Sequence, residues 1–125
     1  MKRSSALLLP MLLLTAAVAN ADCIYPQAPQ SLPNGGKATK EEMLAAQAQV
    51  KEYSASVQEK YLPCLEKEKT DYLGALDNMD PEYTAKKNAI EDVHAKKHNA
   101  ALDELQAVAG RWSEELKAYS AASKK

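Results

Sequence analysis

The sequence predicts an all-α protein: a long, coiled-coil-like antiparallel αα-hairpin with an extended Pro-rich N-terminal strap tied to it by a disulfide. Three observations predict this. Two runs of apolar residues recur at helical spacing on either side of a turn signal, prolines crowd the segment before the first run, and the chain carries two cysteines, one in that segment and one inside the run.

Residues 1–21 read as a secretory signal peptide. Lys2 and Arg3 form a positive n-region, Ala6 to Val18 an apolar stretch, and Ala19-Asn20-Ala21 a small-x-small cleavage pattern that places the cut between Ala21 and Asp22. The apolar stretch is about 13 residues, short of the roughly 20 that a spanning helix needs. Asp22 precedes Cys23 directly and would be the first mature residue, which argues against Cys23 as a lipid attachment point.

Residues 22–38 contain Pro26, Pro29 and Pro33 and end on Asn34-Gly35-Gly36. Proline fixes φ and removes backbone donors, so the segment is expected to be extended and to close in a turn. A hairpin at 39–120 follows, with helices at about 40–77 and 81–120. Thr39 and Glu42 form a capping box at its start. Met43, Ala46, Val50, Tyr53, Val57, Tyr61 and Cys64 mark one apolar stripe, and Leu65, Tyr72, Leu76 and Met79 extend it.

Pro63 falls inside that run and predicts a kink near residues 59–63, with a break into two helices as the alternative. Asp80 as N-cap and Pro81 at the first helical position begin the second helix. Its stripe runs through Ile90, Val93, Lys97, Ala101, Leu105, Val108, Trp112, Leu116 and Tyr119, and residues 121–125 are expected to fray. A turn centred near residue 78 or 79 sets Val50 near Val108, Tyr53 near Leu105, and small Ala46 opposite Trp112.

An even cysteine count in an exported chain favours a Cys23–Cys64 disulfide. Thr39 to Cys64 along a helix is about 37 Å. The chain from Cys23 to Thr39 spans at most about 50 Å as polyproline II. The bond therefore requires the proline segment to run back along the first helix nearly fully extended, bringing Ile24 and Tyr25 over the hairpin groove.

The arrangement of Cys23 in a Pro-rich segment, the Pro33-Asn34-Gly35 turn, MLAAQAQVKEY (43–53), YLPCLEKE (61–68) and HNAALDELQAVAGRWSEELKAYSA (98–121) resembles small exported, periplasmic α-helical proteins of unknown function from Gram-negative bacteria. Pro63, just before the second cysteine, departs from their pattern. The resemblance implies export and helicity and brings no catalytic residues.

Without the signal, about 104 residues remain with a net charge of about −3. No basic field favours nucleic acid, and no further apolar run is long enough to cross a bilayer. C-x-x-C, G-x-S-x-G, H-E-x-x-H and glycine-rich phosphate loops do not occur. A non-catalytic protein without a cofactor is expected. Glu91, His94 and His98 fall near one helix face and are the candidate ligands for Zn²⁺ or Cu²⁺, but one helix supplies an incomplete shell, and the simpler reading is a solvated Lys-rich surface. These features predict a periplasmic or secreted envelope interaction or structural protein, its partner either another protein or a second copy. The alternative is a holdase-like chaperone, and a metal-binding protein comes third.

Overall fold

The computed structural model describes residues 22–125; the expected signal peptide, including Ala21, lies outside the described residues. The described part is all-α, with a Cys23–Cys64 disulfide and no strand. Its elements are α1 (Lys40–Ala55), a π segment (Ser56–Tyr61), α2 (Leu62–Gly74) and α3 (Tyr83–Ser123).

α1 starts where its capping box dictates. The Glu42 amide donates to Thr39 Oγ1 at 3.2 Å, and Glu42 Oε2 accepts from the Thr39 amide at 2.8 Å. Two orphan donors of the first turn are thereby satisfied.

Pro63 neither breaks this helix nor acts alone. The backbone remains right-handed helical at Ala55, Ser56, Tyr61 and Leu62, and the Leu62 amide bonds to the Val57 carbonyl, five residues back. In an α-helix the Pro63 ring would crowd the Glu59 carbonyl and leave it without a donor. The wider π turn just ahead of the proline accommodates both problems.

The π turn also decides which side chains face inward. Tyr53, Val57, Tyr61 and Leu65 are all buried, at successive steps of four. In an α-helix of 3.6 residues per turn, each such step drifts by roughly 40°. A turn holding more residues offsets that drift, so the four remain on one face. Leu65, 1 % exposed, takes the core position, while Cys64 leaves the stripe for the disulfide.

α2 ends at Gly74, three residues before the expected limit. Asp77 and Asp80 then organise the connection: Asp77 Oδ1 accepts from the Met79 amide at 2.9 Å, and Asp80 Oδ1 from the Glu82 amide at 2.8 Å. Asp80 is therefore not the expected N-cap: the Tyr83 amide bonds to its carbonyl at 2.9 Å, Pro81 and Glu82 form a turn, and α3 starts at Tyr83 with Glu82 as its N-cap. At the other end α3 continues through Ser123 rather than fraying from 121, with Ser123 Oγ donating to the Tyr119 carbonyl at 2.9 Å.

The core has two parts. Met43 and Ala46 from α1 meet Trp112 from α3, with Leu32, Ala38, Val50 and Tyr119 around them. Tyr53, Val57, Tyr61 and Leu65 meet Ala101 and Val108, joined by Cys23, Ala28, Val50, Leu62 and Leu105. Ala46 and Trp112, expected to face each other, share this cluster, a small residue beside the largest, as dense packing favours. Full burial of Val57, Leu65 and Val108 contributes roughly 1.5–3 kcal/mol each. Met43 and Ala46 of α1 share a cluster with Trp112 of α3, and Glu68 of α2 pairs with Lys97 of α3.

Residues 22–38 contain no helix or strand and touch both arms. Contacts proceed from Cys23 at Cys64, through Tyr25 at Tyr61 and Tyr53, to Leu32 at the Met43–Trp112 cluster and Gly35 at Glu115. Ile24, expected over the groove, is instead 88 % exposed, because adjacent residues of an extended chain point to opposite sides and Tyr25 takes the inward one.

Candidate docking surface and histidine cluster

The N-terminal segment reaches the helices only as far as Cys64, and this limit divides the molecule. On its covered side, the Tyr25 ring stands edge-on to Tyr61, centroids 4.9 Å apart, and to Tyr53 at 6.4 Å. The Tyr25 and Tyr53 hydroxyls hydrogen-bond to each other. Such edge-to-face pairs add about 0.5–1.5 kcal/mol beyond area burial.

Burial, reinforced by the hydrogen bond to Tyr25, pushes the Tyr53 phenol well above its ordinary value; burial also raises Tyr61. The unfolded chain therefore releases these two protons more readily than the folded one. The stability they contribute is intact below the unfolded phenol value of about 10 and is lost as pH rises beyond it. Two of the six tyrosines should ionise late in a tyrosinate absorbance titration, together with alkaline loss of helicity. Replacing Tyr53 with Phe should shift the alkaline transition upward.

Beyond Cys64 the situation reverses. Leu65 is buried and so is Ala101, but no residue between them is, although Leu73, Leu76, Tyr83 and Ile90 lie there. Two helices bury one stripe each and need a third layer to seal the rest. Tyr72 is 44 % exposed, Val93 50 % and Met79 83 %. Tyr72, Ala89, Ile90 and Val93 line a groove of about 320 Å³, rimmed by Glu68, Lys69, His94 and Lys97. The rim charges are paired within the chain, Lys97 with Glu68 at 2.7 Å and Lys69 with Glu66 at 2.9 Å.

The structure joins two of the three metal candidates and replaces the third. Glu91 lies 3.9 Å from Lys87 on its own helix. The His94 and His98 ring centroids stand 5.8 Å apart, and the carboxylate that meets His94 is Glu66, from α2, whose Oε1 is 2.9 Å from His94 Nε2. Nε2 of His94 is buried, and no hydrogen bond joins it to that oxygen despite the distance. The ammonium of Lys69, with help from the two histidines, holds the Glu66 carboxyl below the usual carboxylate range. Among the described residues, no three His, Cys, Asp or Glu side chains form a ready-made metal shell.

Glu66 was available to sequence reasoning, since a turn near residue 78 or 79 sets it opposite the stretch that holds Glu91 and His94. Its place in the charge run Glu66-Lys67-Glu68-Lys69 is the pattern of a solvated helix face. Cys23 and Cys64 are joined as expected, with Cα atoms 5.7 Å apart, and Asp22 is exposed beside the bridge. None of the described helices is long and apolar enough to cross a membrane. Comparison with family models, curated proteins and solved structures finds no match for this chain.

Proposed function

We propose that this chain is a non-catalytic interaction protein of an oxidising, exported compartment. Its architecture is read as an antiparallel helical hairpin, half sealed by a disulfide-buckled proline strap, and its open half docks a second copy of itself. The uninterrupted lack of buried residues between Leu65 and Ala101 carries this reading. The disulfide supports the compartment, since such bonds persist where thiols are not kept reduced.

A second copy suits the open half on two grounds. The groove lies between two helices and is apolar, which is the shape a helix with an apolar stripe fills. The arm itself carries such a stripe, in Tyr72 and Val93. Its charges are of both signs and largely neutralised by Lys67–Asp71, Lys69–Glu66, Lys86–Asp80, Lys96–Asp92 and Lys97–Glu68, so two copies meet without a field of one sign. Two arms related by a two-fold axis make a four-helix bundle, in which each pair supplies the layer the other lacks.

Sedimentation of the oxidised protein at micromolar concentration tests this, with a dimer as the expected result. Val93→Asp should raise the dimer Kd at least roughly tenfold, because a carboxylate would have to be buried in the interface, and should leave helicity unchanged. A monomer at all concentrations overturns the self-docking reading. The same apolar face is what a holdase would offer unfolded clients, and suppressed aggregation of a reduced test protein by a monomeric form would favour that reading instead.

A further inference from the structure

We propose that Tyr25 and Tyr53 form one oxidation site, where a one-electron oxidant couples the two rings into a dityrosine that ties the proline segment to α1. The oxidant is of the kind a haem peroxidase generates from peroxide. The Tyr25 and Tyr53 hydroxyls hydrogen-bond to each other, so the phenol ends of the rings meet. Tyrosyl radicals join through the ring carbons beside the hydroxyl, and these are the carbons that such a contact brings together. Holding two reacting groups in contact makes a bimolecular step effectively unimolecular. Tyr61 is nearer to Tyr25 by ring centre, at 4.9 Å against 6.4 Å. It stands at 89°, however, an edge against a face, and is not the partner the hydroxyls select.

The two residues differ in access, and this sets the order of events. Tyr25 is 37 % exposed and Tyr53 3 %. The oxidant takes an electron from Tyr25, and the phenolic proton passes to water. The Tyr25 oxygen radical then takes the hydrogen atom of the Tyr53 hydroxyl through the hydrogen bond, which moves the radical inward and restores the Tyr25 phenol. A second oxidation of Tyr25 leaves a radical on each ring. The ortho carbons form a carbon–carbon bond, and each ortho hydrogen moves to its own oxygen, restoring both phenols. In sum, two electrons go to the oxidant and two protons to water. Coupling requires the rings to close from 6.4 Å and to lose their 73° tilt. Tyr25 makes that movement, because it lies in a segment without helix or strand. The disulfide at Cys23, two residues away, keeps it in reach.

Both residues lie on the covered half, so the site does not depend on self-docking. Tris(bipyridine)ruthenium, driven by light and persulfate, is the test oxidant, applied to dilute disulfide-bonded protein. Tryptic peptides separate the candidates: Tyr25 lies in 22–37, Tyr53 in 52–60, and Tyr61 with Cys64 in 61–67. In monomer-sized product, after reduction of the bridge, peptides 22–37 and 52–60 should remain joined. The pair should be lighter than the sum of its parts by the hydrogens lost, and carry the blue fluorescence of dityrosine. Tyr61→Phe should keep this product and Tyr53→Phe should lose it. In Tyr25→Phe, Tyr53 should escape oxidation, since its relay is gone, with circular dichroism showing that each variant keeps its helicity. No crosslink, a crosslink to 61–67 in place of 52–60, or equal oxidation of Tyr53 in Tyr25→Phe overturns the proposal.

Discussion

Replacing both Cys23 and Cys64 with alanine should lower the unfolding free energy by about 4 kcal/mol, read from urea denaturation of the oxidised parent against the double variant. The bridge closes a loop with a sequence separation of 41. In the chain-entropy model a loop of that size restricts the unfolded ensemble by roughly this amount. The effect should not be confined to the unfolded state. Cys23 anchors the end of the N-terminal segment nearest Tyr25, so its loss frees the Tyr25 ring from Tyr61 and Tyr53. Tyr53 is 3 % exposed and Tyr61 8 %. In the double variant both should gain access to solvent, and their late ionisation should move back toward that of an ordinary phenol. If the two proteins show equal stability and identical tyrosine titrations, residues 22–38 are held by other contacts and the bridge is incidental.

How much of this was readable in advance differs from element to element. Thr39 and Glu42 specify the start of α1 by local hydrogen bonding alone, and the cap forms where the sequence puts it. Ala46 near Trp112 follows from counting outward from the turn, and both residues fall in one buried cluster with Met43. Pro63 was readable only as a disturbance. Its resolution as a π turn depends on which four side chains the core must keep on one face, and that is a property of packing against α3. Asp80 reads as a cap in the sequence, yet it holds the preceding turn instead: its carbonyl takes the Tyr83 amide, and α3 starts two residues later than expected, with Glu82 as N-cap.

The candidate surface follows the same division. His94 and His98 share a face by spacing, whereas Glu66 reaches His94 from another helix, a contact that spacing within one helix does not report. Tyr72, Leu76 and Met79 look like core in a periodic pattern. They are not buried, because periodicity reports which face is apolar and cannot report whether a third layer covers it.

The opposite end of the N-terminal segment makes the second large prediction. Gly35→Ala should destabilise the protein by about 2–3 kcal/mol, the upper part of the range for forcing extra volume into a packed site. The strain is not conformational, since none of the described glycines has positive φ. It arises from approach: an alanine Cβ would lie 1.9 Å from the Glu115 carbonyl oxygen and 2.8 Å from its carbon, in the backbone of α3. A flexible side chain could swing aside from such a contact, but a helix carbonyl cannot. The segment must therefore lift, and lifting costs the 2.6 Å bond from the Gly35 amide to Glu115 Oε2. Gly36→Ala provides the internal control, because its Cβ would meet only the Asn34 side chain, at 3.3 Å. Denaturation of the two variants should separate them by at least about 1 kcal/mol, and amide exchange in Gly35→Ala should quicken at Lys37 and Ala38, whose N–H groups bond to the Asn34 carbonyl within the same turn. Equal stability of the two variants would mean that the turn does not rest on α3, and that the proline segment is held at its cysteine end alone.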